Sequence, residues 1–243
     1  MKQENLASPP GMEFLECERP WVFCSLIFVG GWFGAYAFVM RGGLFCNAQT
    51  ANVVMLAIAL GSADWMRALY LLVPISAYLA GAIVSEYLGK KVKKLHFLRW
   101  DTFLTGLEAI AVFLLGCLPE SAPDQICQVA LNFICSMQFN TFRQVEGIPA
   151  ATTFVTNHFR QLGSNLVKYF RHHDSVSAKR IRVHGSLLIY FLLGGLICTI
   201  LTRFVAYRAI WGSEIVLLYI FFRLAFTDRR AEKGRLAQVP HGH

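Results

Sequence analysis

Glu108 lies inside an apolar run, residues 99–118, and Asp101, Thr105 and Glu108 recur at i, i+4 and i+7, which is one face of a helix. An ionisable residue within a membrane-length helix is costly and normally faces a bundle interior or a water-filled cavity. Such a carboxyl can couple proton movement to transport, or stay neutral, hydrogen-bond its neighbours and fix helix register. The next apolar run carries Gln128, Asn132, Ser136 and Asn140 at a strict spacing of four, a continuous polar stripe. Facing stripes of this kind can hold helices together or line a path. Thr50 with Asn52, and Thr156 with Asn157 and His158, stand where apolar helices begin. Unpaired backbone N–H groups there suit an anion or a polar solute, and Thr and Asn suit ordinary capping equally well. His158, beside Arg160, reads as a solvated or interfacial side chain. Residues 172–174 (His-His-Asp) lack a third fixed ligand, so neither a metal nor a cofactor is expected. The chain has no Ser/His/Asp order, HExxH helix, GxSxG elbow or phosphate-binding glycine loop, so no catalytic residue is assigned and no enzyme is expected.

The elements that position these residues follow from composition. The chain has 243 residues, 55% hydrophobic and 16% charged, with a net charge of +8 and a mean hydropathy of +0.46. Soluble domains carry about 25% charged residues, so a polytopic helical membrane protein is expected, with the lipid bilayer as its surroundings. The basic excess sits between apolar runs, at Lys90 to Arg99, Arg171 to Arg182 and Arg223 to Arg235. That is the pattern of cytoplasmic membrane loops, and no aromatic-basic interleaving points to nucleic acid. The seven cysteines show no CxxC spacing and read as packing residues. Glu4, Glu13, Glu16 and Glu18 in the polar segment 1–19 argue against a cleavable signal peptide.

A spanning helix needs about 20 mainly apolar residues. Segments 20–40, 67–89, 99–118, 123–142, 183–202 and 205–223 qualify. Segments 42–63 and 147–168 are interrupted by Gly, Asn, Gln, Thr and Pro. If 147–168 crossed, Arg171, Lys179, Arg180 and Arg182 would lie outside, against the positive-inside rule. It is therefore expected to be re-entrant or broken. Residues 43–52 share with 147–158 a Gly, a short extended stretch, and then Thr and a polar residue opening an apolar helix. Reading both as non-spanning gives six crossings, both termini inside, and two halves, 20–118 and 123–223, of inverted topology. The alternative has 42–63 spanning, seven crossings and an outside N-terminus. Gly30-x3-Gly34 and Ala77-x3-Gly81-x3-Ser85 are small-residue faces for close helix approach, within one chain or between two copies in a homo-oligomer.

Gly31-Trp32-Phe33-Gly34-Ala35, then Gly43-Leu44-Phe45 and Gln49-Thr50-Ala51-Asn52, resemble the G-x-x-D-A, G-x-F and M-T-G-N motifs of the YoaK-like family of multi-pass membrane proteins. Ser136-Met137-Gln138-Phe139-Asn140, then Gly147-Ile148-Pro149 and Thr152 to Thr156, resemble its second set, G-x-Q-N-A, G-x-P and T-T-x-x-T-G. The resemblance covers about residues 20–225 and implies a membrane location, mostly in bacteria. Gly34 stands where the family has Asp, Ala51 and Asn157 where it has Gly, so any role of that Asp is lost or moved here.

The reading that results is an all-α bundle at 20–226, with a basic cytoplasmic tail at 227–243, in a bacterial cytoplasmic (inner) membrane. It is expected to act as a small-solute secondary transporter, with Thr50, Asn52, Thr156, Asn157, Asn132 and Gln138 contacting solute and Glu108 coupling protons. A non-transporting membrane scaffold is the alternative.

Overall fold

A computed structural model describes residues 14–92, 98–236, 238 and 240. Most of the 1–19 segment, Lys93 and Lys94 of the first basic cluster, and residues 241–243 lie outside the described residues. The helices are α1 (Pro20–Met40), α2 (Gln49–Gly61), α3 (Trp65–Val92), α4 (Trp100–Gly116), α5 (Asp124–Thr141), α6 (Thr156–His172), α7 (Ser175–Val205) and α8 (Trp211–Arg229). A two-stranded hairpin, β1 (Gln144–Val145) and β2 (Ile148–Pro149), follows α5. Three helical stretches are long and apolar enough to cross a bilayer: Pro20–Met40, Trp65–Gly89 and Ser175–Arg229. The third is α7 and α8, separated by a 3-10 turn at Ala206–Ile210. The expected segment 205–223 therefore starts later, at Trp211.

Helix α1 begins with Pro at its first position, where the missing N–H costs nothing. It is apolar all round, as a helix enclosed by others must be. Its partner α7 runs parallel to it. Cys24 lies against Ser186, Gly31 against Phe191 and Gly195, and the Tyr36 hydroxyl donates to the Tyr207 carbonyl at 2.8 Å. Helices α3 and α5 are parallel in the same manner. Gln125 reaches Tyr70, Gly81 packs on the Phe133 carbonyl, and Ser85 meets Met137 and Thr141. Helices α1 and α5 are antiparallel, since Gln138 binds near Leu26 and Gln128 binds Arg41.

Exchanging α1 with α5, α2 with α6, α3 with α7 and α4 with α8 maps the packing onto itself. The α1–α7 contact becomes α5–α3, α2–α3 becomes α6–α7, α1–α8 becomes α5–α4, and α4–α8 and α1–α5 are unchanged. Details repeat as well. A side chain at Gly194 would strike the Phe28 backbone, and one at Gly81 would strike that of Phe133. Ala63 (φ +55°) and His173 (φ +48°) each take a left-handed turn before an Asp, and Asp64 and Asp174 then accept the amide three residues on, at 3.0 and 2.7 Å. The helix contacts of α1–α4 are thus matched by those of α5–α8 under this exchange. Large apolar side chains point outward from α3 (Leu69, Leu79, Ile83), α4 (Ile110, Phe113, Leu114) and α7 (Ile189, Leu192, Leu196). An apolar surface of this extent requires lipid or another apolar partner.

Candidate functional site

Each half breaks after its first helix, and the broken segments converge on the midpoint of α1. The first break is the turn Gly42-Gly43, with φ of +75° and +70°. The second is Glu146-Gly147, with φ of +43° and +81°, the tip of the β1–β2 hairpin. Glycine tolerates such angles without steric cost. From these turns the chain doubles back into the bundle. Asn47 Nδ2 donates to the Gly30 carbonyl at 2.9 Å, and the backbone of Thr152 and Thr153 occupies the space beside Gly30 where a side chain would project. Gly30 and Gly34 therefore admit the two broken segments, not a neighbouring helix as their spacing implied. Gly31 makes the close approach to α7.

The amides fix these segments in place. Asn52 accepts from the Phe45 N–H at 3.3 Å and donates to the Phe45 carbonyl at 2.6 Å. The matching position in the second half is His158, whose Nε2 lies 2.9 Å from the Ala151 carbonyl, again seven residues back. A carbonyl only accepts, so His158 carries its proton on Nε2, and its Nδ1 accepts from His184 Nδ1 at 2.9 Å. His158 is fully buried, not solvated as its neighbour Arg160 suggested. Asn132 Oδ1 accepts from Gln49 at 2.6 Å, and Gln138 Nε2 donates to Thr152 at 3.3 Å and to Leu26 at 3.4 Å.

The expected site residues divide sharply. Asn52, Asn132, Gln138 and Glu108 are fully buried, while Thr50 and Thr156 are exposed and Asn157 is half-buried with its oxygen on Arg160. Thr50 and Thr156 lie inside the first turns and face outward, so neither enters the interior. Ala48 and Val155 hold the N-cap positions, without a side-chain cap. Within the interior, several polar atoms make no hydrogen bond among the described residues: both Glu108 carboxyl oxygens, Ser136 Oγ, Gln138 Oε1, and the Thr152 and Thr153 hydroxyls. Glu108 lies at the midpoint of α4, and on α5 the Cys135 sulfur is 3.7 Å from that of Cys46, beside Asn47. Asn47, Thr152 and Thr153 were part of the repeated motif without being singled out. Their backbone position, not their residue type, puts them at the centre.

Gly34 has its explanation here. A side chain at this position would meet the Asn47 amide 2.9 Å away. Asn47 thus occupies the volume into which a side chain at position 34 would point. This repeats, at a named pair, the convergence that the motifs imply. The motif model of one family covers residues 22–222. The chain belongs to the DUF1275 family of proteins of unknown function. YoaK-like proteins are members of DUF1275, and the apolar helices make this DUF1275 chain a membrane protein. No curated protein and no solved structure matches it.

The two ends of the bundle differ in chemistry from its centre. At one end Arg99 is buried, with Nε on Asp228 at 3.2 Å and Nη2 on Glu232 at 2.8 Å, while its amide and Thr102 also bind Asp228. The basic tail thus docks on α4 through acidic residues. Nearby, Glu146 takes Arg19 at 3.1 Å and Lys179 at 2.9 Å. Partial burial pushes the Glu146 carboxyl up, but these two cations outweigh it and hold the group below its ordinary range. At the other end the fully buried Arg41 stacks on Tyr207 at 4.4 Å and stands 3.6 Å from Asp124.

Proposed function

We propose that this DUF1275 protein is a small-solute secondary transporter of the bacterial cytoplasmic membrane, with no enzymatic activity. Helices α1, α3, α4, α5, α7 and α8 cross the bilayer, and the two broken segments with α2 and α6 enter and return on their own side. Arg171, Lys179, Arg180 and Arg182 share one end with Arg99 and the end of α8, which the positive-inside rule makes cytoplasmic. The observation that carries the reading is the meeting of two inverted broken segments at Gly30, amid buried polar atoms with no partner among the described residues. Inverted repeats with interrupted helices at the midplane are a recurring design of carriers.

Glu108 is the coupling group in this scheme, and Ser136, Gln138, Thr152 and Thr153 supply hydrogen bonds to a polar solute. Asn132 and Asn52 position the segments. The scaffold reading draws on the same amides, because Asn52, Asn132 and Asn47 are already engaged in holding the segments. Accessibility separates the two. Single Cys substitutions at Thr152 and Asn47, in proteoliposomes, are expected to react with a membrane-impermeant thiol reagent from one side at a time. Complete protection of both positions from both sides supports the scaffold.

A further inference from the structure

Helix α6 differs from the other helices among the described residues. Its side chains sort into three longitudinal stripes. His158 and Asn165 are buried and Gln161 is half-buried, and this face meets α7. Phe159, Leu162, Leu166 and Phe170, at i, i+3, i+7 and i+11, form an outward apolar stripe, with Phe159 63% and Phe170 71% exposed. Arg160, Lys168 and Arg171 form an exposed cationic stripe beside it. The His158–His184 hydrogen bond fixes the roll of the helix and hence the outward direction of the other two stripes.

The position of α6 along the bundle is also defined. Helix α7 has 31 residues, so it is roughly 46 Å long at 1.5 Å per residue, against about 30 Å of hydrocarbon. Its first residues, 175–182, carry Lys179, Arg180 and Arg182, and its apolar stretch begins at about Val183. His184 therefore marks the edge of the hydrocarbon, and α6 runs from that edge toward the cytoplasmic end. Between Glu146 and the apolar stretch that begins at Val183 the only acidic residue is Asp174, against six Lys and Arg. Apolar stripe, cationic stripe and depth agree with a helix embedded in a headgroup layer.

We infer that the α6 face formed by Phe159, Leu166 and Phe170 with Arg160, Lys168 and Arg171 is a binding surface for anionic phospholipid headgroups of the cytoplasmic leaflet. This rests on the membrane orientation proposed above, though not on transport. Phe159, next to His158 at the hydrocarbon edge, enters the acyl boundary, and α6 continues from there on the headgroup side, where cationic segments gain affinity for anionic lipid. Because α6 continues directly from the Thr152–Thr153 segment, headgroup contact also sets the outer end of one broken segment.

The test uses the full chain with Phe159→Cys in a Cys117→Ser background, Cys117 being the exposed native thiol. The label is a fluorophore quenched by bromine, in nanodiscs holding one copy. Brominated phosphatidylglycerol is expected to quench more than brominated phosphatidylcholine at equal mole fraction. Removing the three cations as Gln (Arg160, Lys168, Arg171) should equalise the two lipids, a loss of about fivefold in preference per charge. A charge-keeping Arg↔Lys exchange at the same positions should retain the preference, which separates charge from misfolding. Equal quenching by both lipids in the parent protein overturns the proposal. So does an absence of quenching, whether the face is covered by water or, as thiol cross-linking of the unlabelled Phe159→Cys variant in larger discs would show, by a second copy.

Discussion

Asp228 and Glu108 are both buried carboxyls, 2% and 0% exposed, yet their surroundings are opposite. Asp228 receives the Arg99 side chain and amide and the Thr102 hydroxyl, at 3.2, 3.1 and 2.7 Å. Glu108 receives nothing among the described residues. A buried charge without a partner is strongly unfavourable, and a structural carboxyl is expected to look like Asp228. The difference marks Asp228 as a fastener between α4 and α8, and leaves Glu108 as the buried carboxyl that the proposed transport scheme uses for coupling.

Loss of its cation would bring Asp228 closer to the bare state of Glu108. Arg99→Ala leaves Asp228 and Glu232 buried without their cation, and is expected to cost about 3–5 kcal/mol, read as thermal unfolding in detergent. Gly34→Asp adds a buried carboxyl on α1. Its side chain collides with Asn47, so it should destabilise by about 1–3 kcal/mol as overpacking does. Adding Asn47→Gly should recover a good part of that loss, and a double-mutant cycle showing no coupling would contradict the assigned contact. A third carboxyl supplies the weak end of the scale. Glu146 is depressed by Lys179 and Arg19, so its stabilisation is complete above its unfolded value of about 4.3 and is lost as pH falls through the lower folded value. Glu146→Gln should cost under about 1 kcal/mol at neutral pH, these cations being half exposed. The deficit should vanish in acid.

Periodicity and charge made much of this legible. The six apolar runs overlie six helices of the bundle, three stretches of which are long and apolar enough to cross a bilayer, and the segment 147–168 is interrupted before α6 as its Gly and Pro implied. The stripe of Gln128, Asn132 and Ser136 is buried as its spacing implied. What escaped was set by backbone path. Thr50 and Thr156 have the residue type of a site but lie on the outer side of their helices. Thr152 and Thr153 have the same chemistry, and a turn at Gly147 carries them inward. His184 gave no signal, since its partner His158 is 26 residues away and only the hairpin brings them together. The clamp of Arg99 on Asp228 and Glu232 spans more than 120 residues and has no local pattern.

The unpartnered carboxyl is best tested by Glu108→Gln. Gln has nearly the same volume and no charge, so the melting temperature should stay level or rise. The decisive reading is proton flux into proteoliposomes loaded with a pH-sensitive dye, across a panel of small polar solutes under an imposed pH gradient. The account predicts solute-dependent proton movement in the parent protein and its loss in the equally stable Glu108→Gln variant. Equal flux in the two proteins, or a variant that unfolds as Arg99→Ala does, would contradict it.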